Sequence, residues 1–146
     1  VTTRVSTNFI PEFQPQMFAD RNRVLEATMN ANTCLINALT PEEFEGKPPQ
    51  RYERSGRIPS SVNVPFTVTV NTDSQLYDDD ISAMSTFKKV GASSAEEIIC
   101  YCGGGIAACS TALVLARLGF DRVSVYDGSM TEWAADSALL LESGTA

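Results

Sequence analysis

The stretch EEIICYCGGGIAACSTALVLARLG (residues 96–119) constrains this chain more than any other. A short apolar run, Glu97 to Cys102, meets three successive glycines and passes directly into a long apolar helical pattern ended by Gly119. Consecutive apolar positions mark a strand covered on both faces, and a strand that turns straight into a helix is half of a βαβ unit. The alternation recurs. Thr33–Asn37 (TCLIN), Val62–Val64 and the RVSV run at 122–125 read as further short strands. Helix signals stand between them. Asp20 to about Met29 suits a helix with Val24 and Leu25 facing inward. Thr40-Pro41-Glu42-Glu43 combines a cap, a first-turn proline and early carboxylates. Asp79 to Val90 carries Ile81, Met84 and Phe87 at helical spacing, and Ser129 opens SMTEWAAD. Short buried strands alternating with helices predict a single α/β domain, a central parallel sheet with helices on both faces. Residues 1–18, polar and broken by Pro11 and Pro15, read as an extended lead-in strap docked by Phe9, Ile10 and Phe13. Residues 19–146 are then the domain proper.

Composition removes several chemistries. A net charge of −7 repels phosphate backbones and speaks against a nucleic-acid partner. No apolar run approaches the ~18 residues of a membrane span. The chain has no histidine, so Ser-His-Asp and Cys-His nucleophiles and His-ligated zinc are excluded. Acid, base or nucleophile falls to Cys, Asp, Glu, Lys, Tyr or a terminus. Cys34, Cys100, Cys102 and Cys109 form no C-x-x-C pair. No metal or cofactor is therefore expected, and four unpaired thiols suit a reducing, cytoplasmic compartment.

Cys102 stands where open α/β sheets bind ligands, at the carboxyl end of a strand. The successive amides of a glycine turn and the N-terminus of the following helix both favour an anion, a thiolate included. Glycines at 103–105 let the backbone curl round the sulfur. A thiol merely buried beside a turn needs no triple glycine. Gly103-x-Gly105-x-x-Ala108 fits a degenerate dinucleotide fingerprint, yet it comes late, with about one strand left after it. A cysteine phosphatase needs an arginine six residues after its nucleophile, where this chain has Ala108.

The order and spacing of CLINALTPEEFEG, SGRIPSSVNVPF, IICYCGGGIAACSTALVLARLGF and VSVYDGSMTEW resemble the rhodanese family of thiosulfate and 3-mercaptopyruvate sulfurtransferases. The resemblance covers nearly the whole chain. It implies a rhodanese-like domain in which Cys102 forms a persulfide, held by a loop completed by Gly103, Gly104, Gly105, Ile106 and Ala107. It also implies a small anionic sulfur donor, thiosulfate or 3-mercaptopyruvate, and a thiol or cyanide acceptor. Tyr126-Asp127-Gly128-Ser129 with Glu132-Trp133, the long loop at 45–56 and the strap resemble the catalytic C-terminal half of tandem members. An N-terminal rhodanese-like domain is the partner this implies, and the opening Val1 adds the expectation of an excised piece.

The chain departs from the family at several positions. Asn37 and Leu39 replace the usual Asp and Arg, Gly103 and Gly104 carry no charge, and Ala107 stands where a hydroxyl is common. Two side chains keep two readings each. Ser129 is a hydroxyl near the sulfur or a helix cap; Arg57 is an anion ligand or a surface residue. Cys100 and Cys109 are core thiols or resolving partners of Cys102. The alternative to an enzyme is a rhodanese-like binding or regulatory domain without turnover.

Overall fold

The computed structural model describes residues 8–71 and 73–145. Along the chain lie α1 (Arg21–Ala27), β1 (Thr33–Asn37), α2 (Pro41–Phe44), β2 (Val62–Asn63), α3 (Asp80–Lys89), β3 (Glu97–Tyr101), α4 (Ile106–Arg117), β4 (Val123–Val125) and α5 (Ser129–Ala135). The four strands form one parallel sheet in the order β2-β1-β3-β4. This is the α/β domain the alternation predicts. The two central strands are buried at their last four positions, as continuous apolar runs require. Their register sets Cys34 beside Ile98, Ile36 beside Cys100 and Asn37 beside Tyr101, so both strands end on one rim.

Helix starts follow local chemistry. The Asp20 carboxylate accepts from the Arg23 amide, and the Asp79 carboxylate from those of Ile81 and Ser82. At α2, Thr40 and Glu43 exchange side chain–backbone hydrogen bonds in a capping box with Pro41 in the first turn. Each such cap stabilises its helix by about 1 kcal/mol.

Helix faces depart from the expectation. Val24 is buried but Leu25 is 42% exposed, because the inner face of α1 carries Val24 and Ala27, three residues apart. In α3 the buried pair is Ala83 and Phe87, while Ile81 is 84% exposed. Residues repeating every three positions drift by about 60° per step round a 3.6-residue helix, which carries Ile81 off the stripe.

The strap differs as well. Residues 1–7 lie outside the described part. Phe9, Ile10 and Phe13 do not dock into the core; all three are exposed, and Phe13 stacks on Phe18 at 5.7 Å. The strap attaches by backbone instead. Phe18 bridges Val125 in parallel, and the Ala19 amide donates to the Val125 carbonyl at 2.9 Å, along the outer edge of β4.

Two polar clasps hold the long loop between α2 and β2. The Arg54 guanidinium donates to four backbone carbonyls, those of Trp133, Ala134, Asp136 and Leu139, and so closes the C-terminal end of α5. Arg57 exchanges backbone hydrogen bonds with Glu142 and donates from its side chain to the Gly144 carbonyl. Its guanidinium also lies 4.5 Å from the centre of the Phe44 ring. The loop ends on Tyr101, whose buried hydroxyl accepts from the Ile58 amide and bonds Ser61.

Candidate active site

β3 delivers Cys102 to the carboxyl rim, and the loop from Gly103 to Gly105 turns the chain into α4. Cys102 is 3% exposed, at the root of the turn. Five hydrogen bonds with the first turn of α5 fix two of the loop's carbonyls and two of its amides. The Met130 amide donates to the Cys102 carbonyl, and the Thr131 amide and hydroxyl both donate to the Gly103 carbonyl. Ser129 Oγ accepts from the Cys102 amide at 3.1 Å and the Gly105 amide at 3.3 Å, while donating to the Tyr126 carbonyl.

A trans peptide points its N–H opposite to its C=O. With the Cys102 and Gly103 carbonyls drawn to α5, the amides of Gly103 and Gly104 are turned away from it. Those two amides, with Ile106, Ala107 and Ala108 at the start of α4, make no hydrogen bond to another described residue. The α4 amides are the donors that every helix N-terminus leaves unpaired. The site is therefore a row of available N–H groups beside a thiol, which is what an anion or a persulfide needs.

Gly105 is required by its backbone conformation, and Gly103 is closely faced by a side chain. Gly105 sits at φ +83°, and a β-carbon there would run into Asp127 Oδ1. A β-carbon on Gly103 would strike the Tyr52 hydroxyl. At Gly104 the nearest atom to such a carbon is Thr131 Oγ1 at 3.9 Å, an ordinary contact.

The Ser129 hydroxyl bonds the Cys102 loop. It does not cap α5; Gly128 stands at the cap, without a side-chain hydrogen bond. Ser129 lies at φ +49°, a conformation costing about 1 kcal/mol or more outside glycine, and its hydroxyl ties two loop amides. Arg57 lies buried on the tail clasp and is committed to Gly144, Glu142 and Phe44. Gly103, Gly104, Gly105, Ile106 and Ala107 follow Cys102 through the turn into α4, with Ile106 exposed, and Ser129 meets the turn from α5.

Tyr52 is the neighbour that sequence reasoning missed. It stands 50 positions before Cys102, inside a stretch that reads only as a proline- and glycine-rich connection. On the α4 side the loop borders a cleft of about 400 Å³ walled by Phe66, Tyr77 and Ile106. Tyr126 and Trp133 are core residues, packed edge to face, with the Tyr126 hydroxyl donating to Glu132 at 2.6 Å. Burial pushes the Cys34 thiol up to about 11 and Cys100 higher still. Burial, then Asp127 and Cys102, raise Cys109. These three remain thiols at neutral pH.

A parallel α/β domain with a cysteine at the carboxyl rim, loop amides at Gly103 and Gly104 without a partner among the described residues and no histidine in the chain defines a thiol-centred site. Its family follows from comparison. The chain matches the Rhodanese-like domain over residues 23–136 and belongs to that family. It is 33% identical over 128 residues to thiosulfate/3-mercaptopyruvate sulfurtransferase 2 of Arabidopsis thaliana, covering 86% of this chain and 37% of that protein. It is 32% identical over 137 residues to the mitochondrial thiosulfate/3-mercaptopyruvate sulfurtransferase 1 of the same plant, covering 92% and 36%. The chain thus spans little more than a third of these relatives' length. The fold is also that of the anaerobic ergothioneine biosynthesis enzyme of Chlorobium limicola, with a TM-score of 0.83 at 22% identity over 90% of this chain and 33% of that one. Among the described residues no helix is long and apolar enough to cross a membrane.

Proposed function

We propose that this domain is a sulfurtransferase that moves sulfane sulfur from thiosulfate or 3-mercaptopyruvate to a thiol or cyanide through a Cys102 persulfide. The observation that carries the reading is the set of amides without a partner among the described residues, Gly103, Gly104, Ile106, Ala107 and Ala108, on the loop that Cys102 opens. Amides held in place before the ligand arrives stabilise charge on sulfur without reorganising.

In the first half-reaction the Cys102 thiolate attacks the outer sulfur of thiosulfate. The S–S bond breaks, sulfite leaves with the electron pair, and the sulfur stays on Cys102. With 3-mercaptopyruvate the C–S bond breaks and the pyruvate enolate takes a proton from solvent. In the second half-reaction an acceptor thiolate or cyanide attacks the outer sulfur, and Cys102 leaves as thiolate. The neutral cleft walled by Phe66, Tyr77 and Ile106 gives an organic acceptor room beside the loop. The four free thiols fit a reducing, cytoplasmic setting, and the family relatives' greater length supports a second rhodanese-like domain as partner.

Intact-mass spectrometry after incubation with each donor tests the reading. The expected product gains one sulfur atom, loses it to cyanide or dithiothreitol, and never forms on Cys102→Ser. A wild-type chain that gains no sulfur from either donor would leave the binding-domain alternative in its place.

A further inference from the structure

The Cys102 loop brings no side-chain donor of its own. Gly103, Gly104 and Gly105 have no side chain, and those of Ile106 and Ala107 are hydrocarbon. Three hydroxyls stand around it. The Ser129 proton is committed to the Tyr126 carbonyl and the Thr131 proton to the Gly103 carbonyl. Tyr52 is different, because its hydroxyl makes no hydrogen bond to another described residue. That hydroxyl lies within clashing distance of the position a Gly103 β-carbon would take, with the ring's Cζ 3.3 Å from the same point. The phenol thus stands in for the missing first side chain of the loop.

The segment is built to hold it there. The Gln50 amide donates to the Tyr52 and Glu53 carbonyls, Arg51 pairs with Glu43 at 2.8 Å, and Arg54 anchors the next turn to α5.

We propose that Tyr52 is the side-chain hydrogen-bond donor of this site, binding the anionic oxygen of the sulfur donor over Cys102. The inference rests on the persulfide reading. As the S–S electron pair leaves with sulfite, charge grows on oxygens that the Tyr52 hydroxyl bonds, and the phenol keeps its proton throughout. A carboxylate or carbonyl oxygen of 3-mercaptopyruvate meets the same hydroxyl. Burial, then the Glu43 charge and Cys102, hold Tyr52 above the ordinary phenol range, so it remains a donor at neutral and mildly alkaline pH.

Single-turnover kinetics separate the two half-reactions. Tyr52→Phe keeps the ring against Gly103 and removes only the hydroxyl. Sulfur loading from thiosulfate is expected to slow on the order of tenfold to a hundredfold, the loss of one hydrogen bond to a charged group. Cyanide discharge of persulfide already formed is expected to be unchanged, because cyanide carries no oxygen. Gly103→Ala, which pushes the phenol off the loop, is expected to show the same loading deficit and to add nothing in the Tyr52→Phe background. Equal loading by wild type and Tyr52→Phe overturns this proposal alone, as does equal slowing of both half-reactions. A wild-type chain that loads from neither donor overturns the persulfide reading and this one with it.

Discussion

Two loops meet at the carboxyl rim of the sheet, and they are held in opposite ways. The loop of residues 102–105 has almost no side chains, and its order is imposed from outside by Ser129, Thr131 and the first amides of α5. The loop between α2 and β2 holds itself, through its own Arg54, Arg57, Gln50 and Arg51. The difference follows from what each loop offers. A loop that offers backbone N–H groups must keep side chains out of the way, so its fasteners belong to other segments. One that offers a single side chain, Tyr52, has all its other side chains free to serve as fasteners.

Breaking the self-held loop is expected to cost most. Arg54→Ala removes donors from four carbonyls at the end of α5 and is expected to destabilise the domain by about 3 kcal/mol, read as a shift in urea midpoint. Because α5 also fastens the glycine loop, sulfur loading is expected to fall with it. An Arg54→Ala protein with wild-type loading would show that the two loops are independent.

Gly105→Ala attacks the other loop from within. The left-handed backbone and the collision with Asp127 together are expected to cost about 2 kcal/mol. Adding Asp127→Ala relieves the carboxylate contact but leaves the backbone strain, so thermal unfolding is expected to show partial rescue only.

A smaller effect distinguishes the loops by pH. Tyr101 anchors the self-held loop at Ile58 and Ser61, and burial pushes its phenol up to about 12. An unfolded tyrosine ionises near ~10, so above that pH the unfolded state sheds a proton the folded state keeps. The stabilisation is full below pH 10 and is lost as pH rises towards about 12. Denaturant midpoints of Tyr101→Phe are expected to decline less over that window than those of the wild type. Gly104→Ala is the gentlest probe. With only an ordinary contact at the β-carbon it is expected to change stability by less than about 0.5 kcal/mol, and a larger loss would mean the loop tolerates no side chain at all.

The sheet, the helix starts and the glycine turn were legible because their signals are local. TCLIN, Thr40-Pro41 and Cys102 with its glycines each declare themselves within a few residues, and β1 spans Thr33–Asn37 as read. What local pattern cannot carry is the partner across a long separation. Tyr52 and Arg54 look like ordinary loop residues until the fold sets them against Gly103 and α5. Ser129 shows the limit within a single residue. Its sequence position suits a cap, and only the approach of the Cys102 loop decides that its hydroxyl faces the other way. Helix faces failed for a third reason, since short helices such as α1 bury only two positions and spacing alone does not say which.

The strap has a consequence beyond attachment. β4 is only three residues long and is the outermost strand on its side, with a row of main-chain groups facing away from the sheet. Phe18 and Ala19 cover part of that row by a parallel bridge at Val125 and a hydrogen bond to its carbonyl. Exposed strand margins are templates on which other chains assemble. The strap therefore acts as a guard on the sheet's open margin, and a chain trimmed past Ala19 would offer that margin to its neighbours as a starting point for aggregation.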